Sequence, residues 1–370
     1  FGSASSMHLE LGGIPVFYAP YIYFPIDDQR HTGFLMPSIG SSSDAGFELV
    51  TPYYLNLADN YDMTLTPRAM SERGLLLETE FRYLGERQQG WIDLSWLPGD
   101  RGDINPALGL QPYPDRWLVG WHHSHQFGDS WTSQINFNRV SDIDYFRDLD
   151  FSGLISGNPN HLDQSIRLGY DAANWSLALQ YQEYQAVDLD LTNSYGTRPR
   201  LSILGRDLFQ QAPFEFDLTA EYTDFYRDNA LLTGADRVNG KRLILTPELR
   251  YPFEFSWGYI RPAVKFWYRS YDLADQMIGF DPEPEIAVPV ASLDAGFALE
   301  RRFDVNGADW LQTLEPRLYF LNAEHESQSA LPNFDSELNR FSYAQLFRDN
   351  RFSGSDRIGD TQQLSLAVSS

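Results

Sequence analysis

The chain has 370 residues, 42% hydrophobic and 15% aromatic, and a formal net charge of −23. So acidic a chain is a poor partner for nucleic acid, whose binding rests on cations meeting phosphates. With no cysteine, this stretch has no thiolate metal site and no Cys nucleophile, and it lacks the run of about 18 apolar residues that a membrane-spanning helix needs.

Residues 1–31 differ from the rest. Leu9 to Pro25 is apolar without clean alternation and is punctuated by Pro15, Pro20 and Pro25. This predicts the tail of a preceding domain and a link, with polar Asp27 to His31 as the boundary. Phe1 to Met7 carries no leader signal and reads, like Ala367 to Ser370, as the middle of something longer.

From residue 32 onward the signal is alternation. Phe214, Phe216, Leu218, Ala220 and Tyr222 interleave with Glu215, Asp217, Thr219, Glu221 and Thr223. Successive strand side chains point to opposite faces, so one face is apolar and the other charged. Leu243, Leu245 and Leu249 stand likewise against Arg242, Glu248 and Arg250, and Val264 and Phe266 against Arg261, Lys265 and Arg269. Roughly sixteen such segments can be drawn: 33–42, 46–57, 61–70, 74–84, 89–98, 116–127, 131–140, 164–172, 174–186, 199–207, 213–227, 239–251, 257–271, 290–303, 309–323 and 361–370. The segment after Tyr145 alone allows a short turn of helix.

Past residue 85 the connections alternate short and long. Tight turns fall at 127–130, 171–174 and 306–309, long loops at 99–115, 141–163, 187–198, 228–238, 272–289 and 324–360. About ten residues at ~3.3 Å each, tilted ~40°, rise roughly 25 Å, the height of the apolar band of an outer-membrane barrel. Tyr53, Tyr54, Trp117, Trp121, Trp131, Trp267 and Tyr268 suit interfacial belts. The fold class is therefore all-β: part of a large antiparallel transmembrane barrel over 32–370. A large soluble all-β protein would leave the one-sided loops unexplained.

Pro37 and Pro52 interrupt the first two segments. Proline cannot donate to a ladder, so they mark either a weakened seam or an edge strand kept from pairing. Glu48 and Asn56 fall near that seam on the lumenal side. Glu215, Asp217, Glu221, Arg242, Glu248, Arg250, Arg261, Arg269, Glu315 and Arg317 are lumen wall by alternation; cross-strand ladders of arginine and carboxylate or contacts to a charged ligand both suit them. His122, His123 and His125 lack a carboxylate or cysteine to complete a zinc set. Asp142, Asp144, Asp148 and Asp150 with Asn158 have the oxygens for calcium without the spacing of an EF-hand. No metal or cofactor is expected. Nor is there a nucleotide loop, nucleophile elbow or zinc-protease helix. The pattern by itself admits a passive porin or an outer-membrane enzyme, and the enzyme needs a nucleophile and base facing each other on one wall, which the spacing does not pick out. Loop 324–360, with Phe347 to Asp349 and Arg351, is expected to fold over the mouth.

An ordered set of motifs then narrows the field. Gly13-Ile-Pro-Val-Phe-Tyr18, Phe24-Pro-Ile-Asp-Asp28, Gly33-Phe-Leu-Met-Pro37, Pro52-Tyr-Tyr-Leu-Asn56, Leu65-Thr-Pro67 and Arg73-Gly74 are followed by Val140-Ser-Asp142, Thr313-Leu-Glu-Pro-Arg317, Leu346-Phe-Arg-Asp349 and Asp356-Arg-Ile358. In this order they resemble the LptD family of lipopolysaccharide-assembly proteins. The resemblance implies an enclosing sheet in the outer membrane of a Gram-negative bacterium, preceded by a periplasmic jelly-roll domain whose end is residues 1–31. It implies non-enzymatic lipopolysaccharide transport, a lateral gate at Pro37 and Pro52, an LptE lipoprotein plug and a periplasmic Lpt bridge docking through the N-terminal domain. It also implies that the closing barrel strands lie outside this stretch.

Overall fold

The computed structural model describes residues 2–11, 14–24, 29–102, 115–149, 161–187, 194–228, 230, 232–276, 278–305 and 307–369. Their regular structure is almost wholly strand. One two-stranded sheet stands beside one large antiparallel sheet of twenty strands, the architecture expected of part of a large β-barrel. The chain divides into two compact units, one of Phe1–His123 with Phe137–Pro159, the other of Ser124–Asn136 with Asn160–Ser370.

In the first unit β1 (Gly2–Leu11) and β2 (Ile14–Phe24) form a hairpin of their own, over the residues the sequence reads as the tail of a preceding domain and a link. Then follow β3 (Gly33–Phe34), β4 (Ser38–Ser42), β5 (Gly46–Val50), β6 (Tyr53–Ala58), β7 (Tyr61–Met70), β8 (Gly74–Leu84) and β9 (Gln88–Pro98). β10 (Asp115–Phe127) and β11 (Trp131–Val140) straddle the division, and a single helical turn, α1 (Tyr145–Asp148), sits where the sequence allows one. The first two expected strands are each split, at Pro37 and at Pro52, where a ladder N–H is missing; Pro67, Pro247, Pro262 and Pro316 lie inside strands that stay whole.

The second unit continues with β12 (His161–Asp171), β13 (Trp175–Ala186), β14 (Gly196–Gly205), β15 (Glu215–Tyr226), β16 (Asn239–Arg250), β17 (Phe253–Phe255), β18 (Gly258–Ala274), β19 (Glu285–Phe297), β20 (Leu299–Val305), β21 (Ala308–Ala323) and β22 (Thr361–Ser369). The expected strand 290–303 is a correction. Its residues belong to two strands that break at Ala298, β19 pairing with the distal half of β21 and β20 with the proximal half. Unbroken apolar alternation cannot report such a change of partner.

The faces are inverted relative to a water-soluble sheet. Along β16, Leu243 and Leu245 are 39% and 37% exposed while Arg242, between them and Lys241, is 1% exposed. On β22 Leu366 is exposed and Ser365 buried. Apolar side chains out and charged side chains in is the pattern a lipid-facing wall requires, since hydrocarbon has no partner to offer a guanidinium. Trp267 is a correction to the aromatic-belt expectation. It is buried on the inward face, in a cluster with Tyr271, Val288, Leu321, Leu331 and Ile358.

Candidate functional site

The inward cluster in the second unit exists because loop 324–360 folds down against β18, β19 and β21. Phe334 stacks on Phe225, ring centroids 4.4 Å apart, and Tyr195 meets Phe334 edge-on. Behind these rings lies a junction centred on Arg242. Its Nη1 donates to Asp335 Oδ1 at 2.9 Å and to Asp356 Oδ1 at 2.8 Å, and its Nη2 donates to Glu221 Oε1 at 2.9 Å and Asp335 Oδ2 at 2.7 Å. The Tyr271 hydroxyl donates to Asp356 Oδ1, and the Phe334 and Asp335 amides donate to Asp356 Oδ2. Arg269 Nε donates to the Ser355 carbonyl. Gly354 has φ +63° and a Cβ there would lie 2.1 Å from the Asp335 carbonyl oxygen, so only glycine lets the loop turn back on itself.

Burial pushes both loop carboxyls up. At Asp335 the Arg242 guanidinium and the Ser355 amide outweigh it and hold the carboxyl down at about 2. At Asp356, more deeply buried, burial wins and the carboxyl lies above its ordinary value despite Arg242. A depressed carboxyl lends stability above its unfolded value of about 3.9 and loses it as pH falls through the folded value; the raised Asp356 acts with the opposite sign. Amide protection in 334–336 is therefore expected to survive acidification from pH 7 to about 4 and to disappear toward about 2. Hydrogen exchange corrected for the intrinsic pH dependence checks this; loss already between pH 6 and 4 would show that Arg242 does not hold Asp335.

Below the junction lies a cavity of about 540 Å³ lined by Glu215, Glu248, Arg250, Arg261, Lys265 and Asp294, roofed by Phe347, Arg348 and Asp349 of the loop. Its charges are cross-paired: Arg250 with Glu215 and Glu248, Lys265 with Glu248 and Asp349. Asp294 is held in a two-pronged pair by Arg317. Asp217 accepts the Asp207 amide. Of the expected wall residues, four line the cavity, while Glu221, Arg242 and Arg269 lie in the loop junction instead. Arg317 lies behind Asp294. Glu315 is exposed, and its carbonyl accepts from Ser369.

In the first unit Glu48 is gripped by Arg68, with Nε 2.9 Å from Oε1 and Nη2 donating to Oε2 at 3.0 Å. Asn56 is exposed, its amide donating to Thr32 Oγ1 and its Nδ2 to the Arg30 carbonyl. Directly opposite Asn56 in register, Asp62 accepts from Arg82, Arg30 and Tyr54, tying the link to the wall. Around Pro37 and Pro52 the ladder is thin: Leu35 donates to the Pro52 carbonyl and Thr51 to the Pro67 carbonyl.

The aspartates read as calcium oxygens have other partners. Arg116, fully buried, donates to both oxygens of Asp142, to Asp100 and to Asp148, and Arg147 pairs with Asp144. Guanidinium supplies the positive charge there; Asp150 and Asn158 lie outside the described residues. The histidines divide between faces, His122 bonding to Asn138 and His123 to the Tyr83 hydroxyl. Reading site by site passed over Arg73, Asp100, Arg116, Asp335 and Asp356. Yet Arg73, Asp142 and Asp356 stand inside the ordered motifs, and that was the available signal.

Two family models match the chain: one described as "LPS transport system D" over residues 114–370, the other as "LptD protein" over residues 3–189. The chain is 38% identical over 397 residues to the LPS-assembly protein LptD of Pseudomonas syringae pv. tomato, covering 100% of this chain and 42% of that one. It is 38% identical over 399 residues to the LPS-assembly protein LptD of Pseudomonas aeruginosa strain UCBPP-PA14, covering 100% of this chain and 43% of that one. It thus spans less than half the length of these relatives. Inverted sheet, ordered motifs, two family matches and identity along the whole of this chain converge: the chain belongs to the LptD family.

Proposed function

We propose that this chain forms part of the outer-membrane wall through which lipopolysaccharide reaches the outer leaflet of a Gram-negative cell. Sugars travel along the charged inward face, and acyl chains leave through a lateral gate whose weak point is Pro37 and Pro52. Each part of the amphiphile then stays in its preferred solvent. No bond is made or broken, and the driving energy comes from a periplasmic bridge acting through the N-terminal domain, of which residues 1–31 are the end. An LptE-type lipoprotein sits in the lumen as plug. The observation that carries this reading is the pairing of an inverted wall with a ladder interrupted at two prolines.

The test is site-specific photocrosslinking in the full-length protein in living cells, with the probe at Asn56 and, for comparison, at Thr219 on the inward face of β15. The expected result is a lipopolysaccharide adduct at Asn56 that vanishes when energy supply to the bridge is cut. Absence of adducts at both positions, together with ion conductance indifferent to the plug, would establish a passive porin instead.

A further inference from the structure

The hairpin β4–β5 is fastened by different means at its two ends. At the proline end, β5 is held by ladder pairing with β7 from Glu48↔Met70 to Val50↔Arg68 and by Thr51 donating to the Pro67 carbonyl, with pairing resumed on β6 beyond Pro52. At the turn end the fastening is dense. Phe47 donates to Ser71 Oγ at 2.9 Å, Ser71 to the Phe47 carbonyl at 2.9 Å, Glu72 to the Ala45 carbonyl at 3.2 Å, and Arg73 Nε to the Asp44 carbonyl at 3.0 Å. Ala45 is buried.

Arg73 is in turn the outer member of a buried chain. Its Nη1 donates at 2.8 Å to Asp100 Oδ2, which also accepts Arg116 Nη1 at 3.1 Å. Arg116 then holds Asp142 with both prongs, at 3.0 and 2.7 Å, and Asp148 at 3.0 Å. Leu97, Leu118, Val140, Tyr145 and Leu149 close round it, each no more than 1% exposed. In such surroundings a charge-assisted bond is strong and an orphaned partner is costly. A Cβ on Gly102 would lie 2.5 Å from Arg73 Nη1, so the loop backbone itself presses the guanidinium into place.

We propose that Arg73 and Arg116 are positioning residues of the gate. They fix the turn half of the β4–β5 leaf to its own wall, so that parting of the seam bends only the segment on the far side of Pro37 and Pro52. The leaf is a hinge with a fixed jamb, not a strand pair that swings as a whole. This rests on the lateral-gate reading, and neither arginine touches the cargo.

The experiment is hydrogen exchange on the full-length protein with its plug partner in lipid nanodiscs, on wild type and Asp100→Asn. In the wild type the amides of Phe47, Ser71 and Glu72 should exchange at least about tenfold more slowly than those of Leu35 and Thr51. In Asp100→Asn the first three should accelerate about tenfold or more, while the β8–β9 ladder and the heat-modifiable migration of the barrel stay unchanged. General misfolding would move all of these together. Gly102→Ala, which displaces the guanidinium without removing a charge, should give the same local pattern and serves if Asp100→Asn does not assemble. Tip amides no better protected than Leu35 and Thr51, or unmoved by either substitution, would overturn the proposal. The lipopolysaccharide adduct at Asn56 is scored in the same cells. If it is missing from the wild type while the exchange pattern holds, the pinned tip is a structural anchor and its role in a gate is refuted.

Discussion

Arg242→Met is expected to release loop 324–360 from the wall while leaving the sheet assembled. The substitution keeps most of the apolar stem and strands three carboxylates, Glu221, Asp335 and Asp356, around a position that is 1% exposed. Breaking a buried pair by removing one partner costs about 3–5 kcal/mol. Exchange of amides 334–336 and 354–358 should therefore accelerate by roughly 10²–10³ or more, at about 1.4 kcal/mol per tenfold. The rings of Phe225 and Phe334 remain as a weaker dock. Lys241→Ala next door is the control. Its pair with Asp272 is exposed on both sides, and such solvent-screened pairs contribute little, so loop exchange should move by a few-fold at most. Equal effects of the two substitutions would mean that packing of the rings, and not the guanidinium, holds the loop.

The second large effect concerns the inverted faces. Leu245 and Thr246 are neighbours near the middle of β16, Leu245 outward and Thr246 inward beside Glu248. An arginine on the lipid face near the bilayer midplane costs about 2–4 kcal/mol. Leu245→Arg should lose that much stability in equilibrium unfolding from lipid vesicles. Thr246→Arg should change it by no more than about 1 kcal/mol, since the new cation meets water and carboxylates. Equal losses from the two substitutions would overturn the assignment of Leu245 to the lipid face.

What the sequence made legible follows from how far apart the interacting residues are. Strands β7, β8 and β11 begin and end where alternation alone puts them, because period two is a local property. Splitting at Pro37 and Pro52 is local in position, but a missing N–H alone does not announce it, since Pro67, Pro247, Pro262 and Pro316 lie inside unbroken strands. The break at Ala298 is not local: Val290 to Gly296 pair with Arg317 to Ala323 while Leu299 to Val305 turn to Ala308 to Leu314. The site shows the same limit. Glu215 and Arg250 are directly opposite in register, and alternation placed them on one face. Arg242 meets Asp335 and Asp356 across 93 and 114 residues, and no periodicity carries that information. Asp142 and Asp148 looked like cation ligands because their partner, Arg116, enters from another strand.

That long span also gives the lid an order of events. Until Asp335 and Asp356 have folded in, Arg242 has Glu221 as its one neighbour among these carboxylates, and the inward face beneath the loop stays open to water. A wall assembled only as far as β21 is unlocked at this point, whatever the state of its ladder. Full fastening of the long-loop end at Arg242 thus needs all three carboxylates, the last of them at residue 356.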